Sequence, residues 1–342
     1  MPSAVPSEPG KRLKLSIVII CWNDLKVLPD CLRSITSGTN NLEYEIIISD
    51  NGSTDGSVEF VHKNYPAARV VENNANLGYA RGNNAGIRVA TGEYVLILNP
   101  DTIVHESSLE KWLRFADQHP EAGAFGCMVQ NPDGSDQGPA RPFPSLWGDF
   151  LAAVYLRPLG HISSLFDSDA YAGWTGKKER EIGWQSGCCV MLRGDLLKQL
   201  GGFDEQFFYH YEEVDLCRRV WDAGFRIRYT PEVSITHLGG QSVGRFPIRF
   251  ALETHRGRYR YFYKHFGESG ARQARRIQLL HLGLRKFGYA LRRLFAGNSK
   301  PLDARLEMYR VVLDWTKRID PVRFVETGKE PEVPAAVLTQ RA

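Results

Sequence analysis

The chain has 342 residues, 43% hydrophobic and 24% charged, enough for one large core or two modest ones without disulfides. That composition excludes a disordered chain, a collagen-like fibre and a disulfide scaffold. The net charge of +4 conceals an asymmetry: Arg245 to Lys300 holds fourteen Lys/Arg against two Asp/Glu, so the rest of the chain is acidic and the basic segment calls for an anionic partner.

The six cysteines include the adjacent Cys188 and Cys189 and form no Cys-x-x-Cys pair, which indicates reduced thiols and no zinc site. No apolar run reaches membrane-helix length. Leu15–Cys21 follows basic residues as a signal core would, but it is short and runs into Trp22-Asn23-Asp24, so it reads as a strand.

Residues 1–13 are Pro/Ser-rich and read as loose. Strand signals then alternate with helix signals. Strands are predicted at Leu15–Ile20, Glu45–Ser49, Arg69–Glu72, Tyr94–Leu98 and Ala122–Val129. Helices are predicted at Leu25–Ser37, Thr54–Tyr65, Tyr79–Ala90 and from the capping box Ser107-Ser108-Leu109-Glu110 to His119. This order implies a mostly parallel, doubly wound sheet, which binds ligands beyond the carboxyl ends of its strands. Further on, Trp147–Leu156 reads as a helix, Trp184–Leu192 as a strand and Tyr211–Ala223 as a helix. Phe225–Tyr229 and Val233–His237 read as short strands. Beyond Arg249 the chain is helical and basic, and from Glu326 it reads as frayed.

Each early strand runs into a polar cluster, and a parallel sheet sets these along one edge. Asp50 follows Ile46-Ile47-Ile48-Ser49. It can accept from a base or ribose, yet Asp50-Asn51-Gly52-Ser53 is also strong turn chemistry, and both readings stand. Asp101 ends Leu98-Asn99-Pro100-Asp101, where a carboxylate can hold Mg²⁺ or Mn²⁺ against a diphosphate. Asn76 to Gly86 is a Gly/Asn-rich helix entry whose backbone N–H groups suit phosphate, with Arg81 as a cation or simply a surface residue. Trp184-Gln185-Ser186-Gly187 supplies an aromatic for a sugar wall or for the core. His237 ends its strand before Leu238-Gly239-Gly240, as a structural residue or a metal ligand.

Glu212-Glu213-Val214-Asp215 opens a helix, where acids suit the dipole. At about 100° per residue, Glu213 falls on the arc of Val214, Leu216, Cys217, Val220 and Trp221, whereas Glu212 and Asp215 fall outside it. Burial there raises the proton affinity of the Glu213 carboxylate, as a general base needs. Glu212 and Asp215 read as partners of nearby arginines or as residues that order the site.

These segments, joined by Asn76-Leu77-Gly78-Tyr79, Gly201-Gly202-Phe203-Asp204, Tyr211-Glu212-Glu213-Val214-Asp215 and His237-Leu238-Gly239-Gly240-Gln241-Ser242, resemble family 2 glycosyltransferases of the GT-A fold over roughly residues 14–245. The later motifs resemble the bacterial rhamnosyltransferase-type branch. The resemblance implies a GT-A domain at 14–245, a basic helical region at 246–325 and a tail at 326–342. It implies Glu213 as catalytic base of an inverting transfer. The donor nucleotide-sugar would meet Trp22, Asn23, Asp50, Asn51, Asn76, Gly78, Arg81, Asn83, Asn99 and Asp101. Trp184, Gly187, Asp204, Glu212 and Asp215 would lie on the acceptor side. Asp101 and His237 would hold Mg²⁺ or Mn²⁺, with Asn99 replacing the first acid of the family's metal motif.

Rhamnose from dTDP-rhamnose is the donor the branch implies, and a polyprenyl-diphosphate-linked or polysaccharide hydroxyl is the acceptor. The basic stretches Arg256–Lys264 and Arg285–Leu294 then suit an anionic membrane face, placing the protein in the cytoplasm on the inner face of the plasma membrane. They leave a homodimer contact open. No nucleic-acid module is present. A dehydrogenase is disfavoured because Cys21-Trp22-Asn23-Asp24 replaces a glycine loop. Alternatives are transfer of another sugar from a UDP- or GDP-donor, and a glycan-binding or assembly protein with weak turnover.

Overall fold

The computed structural model describes residues 13–38, 42–166, 171, 174–239, 247–295 and 299–338. The expected loose N-terminus and the Gly240-Gln241-Ser242 end of the histidine motif lie outside these residues, apart from Leu13. The chain forms two units, one of Met1–Phe143, Trp174–Phe208 and Glu212–Gly239, the other of Pro144–Gly173, Tyr209–Tyr211 and Gly240–Ala342.

The first unit starts with β1 (Leu15–Cys21), α1 (Leu28–Ser37), β2 (Tyr44–Asp50), α2 (Ser57–Asn64), β3 (Arg69–Glu72), α3 (Gly78–Val89) and β4 (Tyr94–Leu98). β1 is apolar but for Ser16, whose buried hydroxyl donates to Glu45 Oε1 (2.6 Å), because it is covered on both faces and pairs in parallel with β2 and β4. α1 buries Leu28, Cys31, Leu32 and Ile35, one stripe at helical spacing.

β5 (Thr102–Val104), α4 (Ser108–Gln118), β6 (Ala122–Gln130) and β7 (Ala140–Arg141) follow, then α5 (Leu146–Ala153), which belongs to the second unit. The first unit resumes with β8 (Arg180–Glu181), β9 (Trp184–Gln185), β10 (Cys189–Arg193), α6 (Gly194–Gln199), α7 (Glu212–Asp222) and β11 (Arg226–His237). The described strands form a nine-stranded sheet of order β3-β2-β1-β4-β10-β6-β11-β5, with β8 on β11, and a separate β7-β9 pair. Ile17, Ile19, Leu96, Leu98, Trp112 and Phe125 centre the core.

Four features depart from the sequence reading. The parallel run stops at β4, because β10 inserts antiparallel between β4 and β6. Trp184–Leu192 is broken at Ser186-Gly187, where Ser186 N–H donates to the Pro139 carbonyl (2.9 Å). The two expected late strands fuse into β11 across a register shift between Thr230 and Ser234, where Pro231 cannot donate to a ladder. The capping box does not form: Ser107 sits at φ 58° without a side-chain cap bond, and Ser108 Oγ donates instead to the Ser234 carbonyl (3.1 Å).

The second unit adds α8 (Pro247–Phe295), interrupted at Gly267 with φ 69°, then α9 (Lys300–Arg318), α10 (Pro321–Thr327) and α11 (Ala335–Leu338). In the basic stretch Arg256–Lys264, expected as part of a membrane face, Lys264 is exposed but most of the other side chains pack within the unit. Tyr259, Tyr261 and Phe262 are buried. Arg258 meets Asp149 at 2.6 Å, and Arg256 meets Glu253 and Glu330 at 2.8 Å. Glu330 thereby ties down a segment expected to fray, and Trp315 Nε1 also donates to it (3.3 Å).

Candidate active site

The loops after β1 and β2 are bonded to each other. Asn51 N–H donates to the Cys21 carbonyl (2.8 Å) and Asn23 N–H to Ser53 Oγ (2.9 Å). Asn23 Oδ1 accepts from Thr54 N–H (2.8 Å). Half-buried Trp22 stands on the same loop, its N–H donating to Asp24 Oδ2 (2.9 Å). Asp50 is 3% exposed. Its Oδ2 accepts from Gly52 and Ser53 N–H at 2.9 Å each, whereas Oδ1 is buried with no hydrogen-bond partner among the described residues. One oxygen closes the turn, and the other is an acceptor that costs energy until something donates to it.

At the start of α3, expected as a phosphate cradle, the first two amides have partners within the unit. Asn76 Oδ1 accepts from Gly78 N–H (3.0 Å), and the Phe208 carbonyl accepts from Tyr79 N–H (2.8 Å). Gly78 is glycine because its φ is +81° and a Cβ would meet Phe208 at 2.7 Å. Arg81 is exposed and lies 3.6 Å from Glu205. Asn51 and Asn83 are buried braces: Asn51 Nδ2 donates to the Gly78 carbonyl (3.1 Å) and Asn83 Nδ2 to the Tyr79 carbonyl (3.0 Å).

β5 brings Asp101 to His237. It pairs antiparallel with β11, setting Thr102 opposite His237. Leu238 N–H donates to the Asp101 carbonyl (2.9 Å). His237 Nε2 then lies 3.2 Å from Asp101 Oδ1. Burial alone pulls the imidazolium down, but the hydrogen bonds to Asp101 and Cys188 outweigh it and raise His237 to about 10. Gln137 fixes the ring. Its Nε2 donates to the His237 carbonyl (2.7 Å), so its Oε1, 3.0 Å from Nδ1, must accept the Nδ1 proton. That leaves Nε2 facing the carboxylate. Beside them, Asn99 Oδ1 is buried without a partner among the described residues.

Once a cation displaces the Nε2 proton, the Asp101 carboxylate and the His237 imidazole, with the amide oxygen of Asn99 two residues before Asp101, would offer donors suited to Mg²⁺ and, through the nitrogen, to Mn²⁺. Among the described residues no group of three or more His, Cys, Asp or Glu gathers in metal-binding reach. A cation on this pair would therefore complete its shell with phosphate oxygens and water, the usual habit of Mg²⁺.

Glu213, 8% exposed, stands in the first turn of α7 among buried Val214, Leu216 and Cys217. Burial pushes the Cys217 thiol up to about 12; a Gln185 bond offsets part of this and the Glu213 charge adds to it. Gly187 is the meeting point: a Cβ there would lie 3.2 Å from Tyr79 Oη and 3.5 Å from the Glu213 Cβ. Tyr79 Oη donates to the Gly187 carbonyl (2.5 Å). Trp184 is held in the β7-β9 pair, its Nε1 donating to the Pro142 carbonyl (2.9 Å). Asp204 Oδ1 accepts from Gln206 N–H (3.0 Å).

Asp215 pairs with a nearby arginine, one of the two roles read for it. It is 0% exposed and meets Arg219 Nε at 2.7 Å. Arg219 also donates to the Leu200 (2.9 Å) and Gly202 (2.8 Å) carbonyls, pinning the Gly201-Gly202 loop to α7. Glu212, 3% exposed, is buried beside it. Replacing Arg219 with Leu removes the cation paired with a buried carboxylate and should lower unfolding stability by about 3–5 kcal/mol. Urea unfolding reads this directly, and a loss below about 1 kcal/mol would mean that the pair is not a brace.

Residues 16–200 match the family model described as Glycosyl transferase family 2. The chain belongs to that family. This family 2 glycosyltransferase is 30% identical over 258 residues to the N-acetylglucosaminyl-diphospho-decaprenol L-rhamnosyltransferase of Mycobacterium tuberculosis, spanning 72% of this chain and 82% of that one. It is 24% identical over 202 residues to Rhamnosyltransferase WbbL of Escherichia coli, spanning 57% and 72% of the two chains. Its fold is similar to that of a mannosyltransferase of Pyrobaculum calidifontis solved with GDP-Man and Mn²⁺, with TM-score 0.54, 16% identity and coverage of 96% and 92%. The expected GT-A fold and rhamnosyltransferase-like branch therefore hold.

Sequence reasoning missed Tyr79 and Gln137, which hold Gly187 and His237, and also Asn84. Asn84 locks the Gly-Gly-Phe-Asp loop with Oδ1 accepting from Phe203 N–H (2.9 Å) and Nδ2 donating to its carbonyl (2.8 Å). Nothing in the local pattern around Gln137 marks it, because its partner is set by a distant strand.

Proposed function

We propose that this chain is an inverting, metal-dependent transferase. It moves rhamnose from dTDP-rhamnose to a hydroxyl of a polyprenyl-diphosphate-linked or polysaccharide acceptor in envelope glycan synthesis. The observation that carries the reading is the pairing of Asp101 with His237 in the unit that holds Glu213 beside Gly187. The rhamnosyl donor is supported by two relatives named as rhamnosyltransferases, and the lipid-linked acceptor by the name of the mycobacterial one. Residues 14–245 carry the transfer, and 246–325 form a basic helical region that keeps the protein on the inner face of the plasma membrane.

Asp50 Oδ1 accepts from the base or ribose, and Trp22 lies alongside. Asp101, His237 and Asn99 hold Mg²⁺ or Mn²⁺, which when bound neutralises charge on the leaving diphosphate. Glu213 takes the proton of the acceptor hydroxyl. That oxygen bonds to the anomeric carbon as the bond to the diphosphate breaks on the opposite face, so configuration inverts in one displacement. Trp184 and Asp204 border the acceptor.

A panel of nucleotide-sugars, each with Mn²⁺ or with EDTA, tests this through released nucleoside diphosphate. Metal-dependent release from dTDP-rhamnose is the expected result. Release from a UDP- or GDP-sugar alone overturns the donor assignment. No release, with no thermal stabilisation by dTDP, overturns the donor site itself.

A further inference from the structure

Among the described residues, the exposed large apolar side chains fall in the second unit with one exception, Leu238. The C-terminal half of α8 carries most of them. Leu280, Leu284, Phe287, Leu291 and Leu294 recur at spacings of four, three, four and three, which keeps them on one helix face. Phe287 is 70% and Leu294 78% exposed. The opposite face is already used: Leu282 is buried and the Tyr289 ring lies 5.3 Å from Tyr309 on α9. This helix is thus apolar on two sides, and only one is needed for packing.

The exposed stripe does not stand alone. Arg285 stacks 4.0 Å from the ring of Tyr155, so the segment after α5 lies beside it. That segment exposes Ile162 and Leu165, and Trp147 is tied to it through Nε1 to the Leu165 carbonyl (2.7 Å). One turn before the stripe is a cavity of about 270 Å³ lined by Arg272, Arg275, Arg276 and Arg318, with Asp320 as the acid among its lining residues.

We infer that this face of the second unit docks on an anionic bilayer: the Leu280–Leu294 stripe enters the headgroup boundary, and the arginine cavity seats a lipid phosphate. The charge decides the occupant. From Ala271 to Phe295 there are seven Lys/Arg and no Asp/Glu; Arg272 pairs with Glu268 and Asp320 and Arg293 with Asp303, and the excess of cations that remains repels a second copy of the face and attracts phosphate headgroups. A helix with an apolar face of Leu and Phe flanked by arginines lies in the interface plane. No helix of the described residues is long and apolar enough to cross a membrane. The inference rests on the proposed membrane location of residues 246–325, for which it names the side chains in contact, and does not depend on which sugar is moved.

Flotation of the full chain with vesicles tests it, without donor or acceptor, so the outcome is separate from the transferase reading. With equal parts phosphatidylglycerol and phosphatidylcholine, the chain should float about tenfold more than with phosphatidylcholine alone. The exposed-residue variant Phe287→Ser/Leu291→Ser/Leu294→Ser should lose about tenfold or more in affinity for the anionic vesicles. Arg272→Gln/Arg276→Gln should bind them more weakly and with a shallower salt dependence. Both variants should keep the parent melting temperature and its thermal response to dTDP. The inference is overturned if the parent chain stays at the bottom with both vesicles, or if the triple variant floats as the parent does. It is equally overturned if gel filtration shows a parent dimer that the triple substitution splits, which would make the face a contact between copies.

Discussion

Replacing Glu213 with Gln lowers kcat for transfer by about 10²–10⁴-fold, the range that a positioned general base contributes. Donor binding stays close to that of the parent chain. The amide keeps the length and shape of the side chain, so Val214 and Cys217 around it need not repack. What it loses is the capacity to take a proton from the acceptor hydroxyl. The loss should fall on kcat and kcat/KM alike, because the proton moves only in the transition state. The measurement is steady-state transfer with the donor found in the nucleotide-sugar panel, set beside calorimetric binding of dTDP. Parent-like turnover by the Gln variant would remove Glu213 from the role. Weakened dTDP binding with it would instead point to a residue that shapes the donor side.

How much of this was legible in the sequence depends on the range of the interactions. β1, β2 and β4 were readable because strands covered on both faces carry continuous apolar runs, as Ile17–Ile20, Ile46–Ile48 and Val95–Leu98 are. The direction of β10 was not, since Cys189–Arg193 would have the same composition running either way. Glu213 could be placed on the apolar arc of α7 because helical periodicity is local. Asp101 and His237 were each visible, but their contact depends on the pairing of three-residue β5 with β11, too short a strand to signal itself. At the start of α3 the Gly78 and Tyr79 amides are taken by Asn76 and by a carbonyl far along the chain, that of Phe208, and the second of these pairings has no local signal. Charge counting could not show that Arg256 and Arg258 are met inside the unit by Glu253, Glu330 and Asp149, since those acids lie on other turns and segments.

Substitutions around Asp101 should grade by their distance from the cation. Asp101→Asn keeps the size of the side chain and removes the charge, so it should lower metal-dependent turnover by about 10²–10³-fold, equivalent to several kcal/mol. It should also remove the gain in dTDP affinity that Mn²⁺ confers on the parent, which calorimetry reads without any turnover. Gln137→Leu should act more weakly, at about 10–100-fold in Mn²⁺ affinity, as partners behind a metal ligand do. The reason is geometric. Gln137 binds His237 twice, through its Nδ1 proton and through its carbonyl, and so fixes both the ring and the strand that carries it. Without Gln137 the imidazole is free to rotate or to change tautomer, and Nε2 no longer faces Asp101 by default. If the two variants lose equal affinity, His237 contributes only when Gln137 holds it and the carboxylate adds little of its own. If Gln137→Leu binds Mn²⁺ as the parent does, the ring is oriented by its burial and its contacts with Asp101 and Cys188. The order Asp101→Asn worse than Gln137→Leu, with both worse than the parent, is what the register between β5 and β11 predicts.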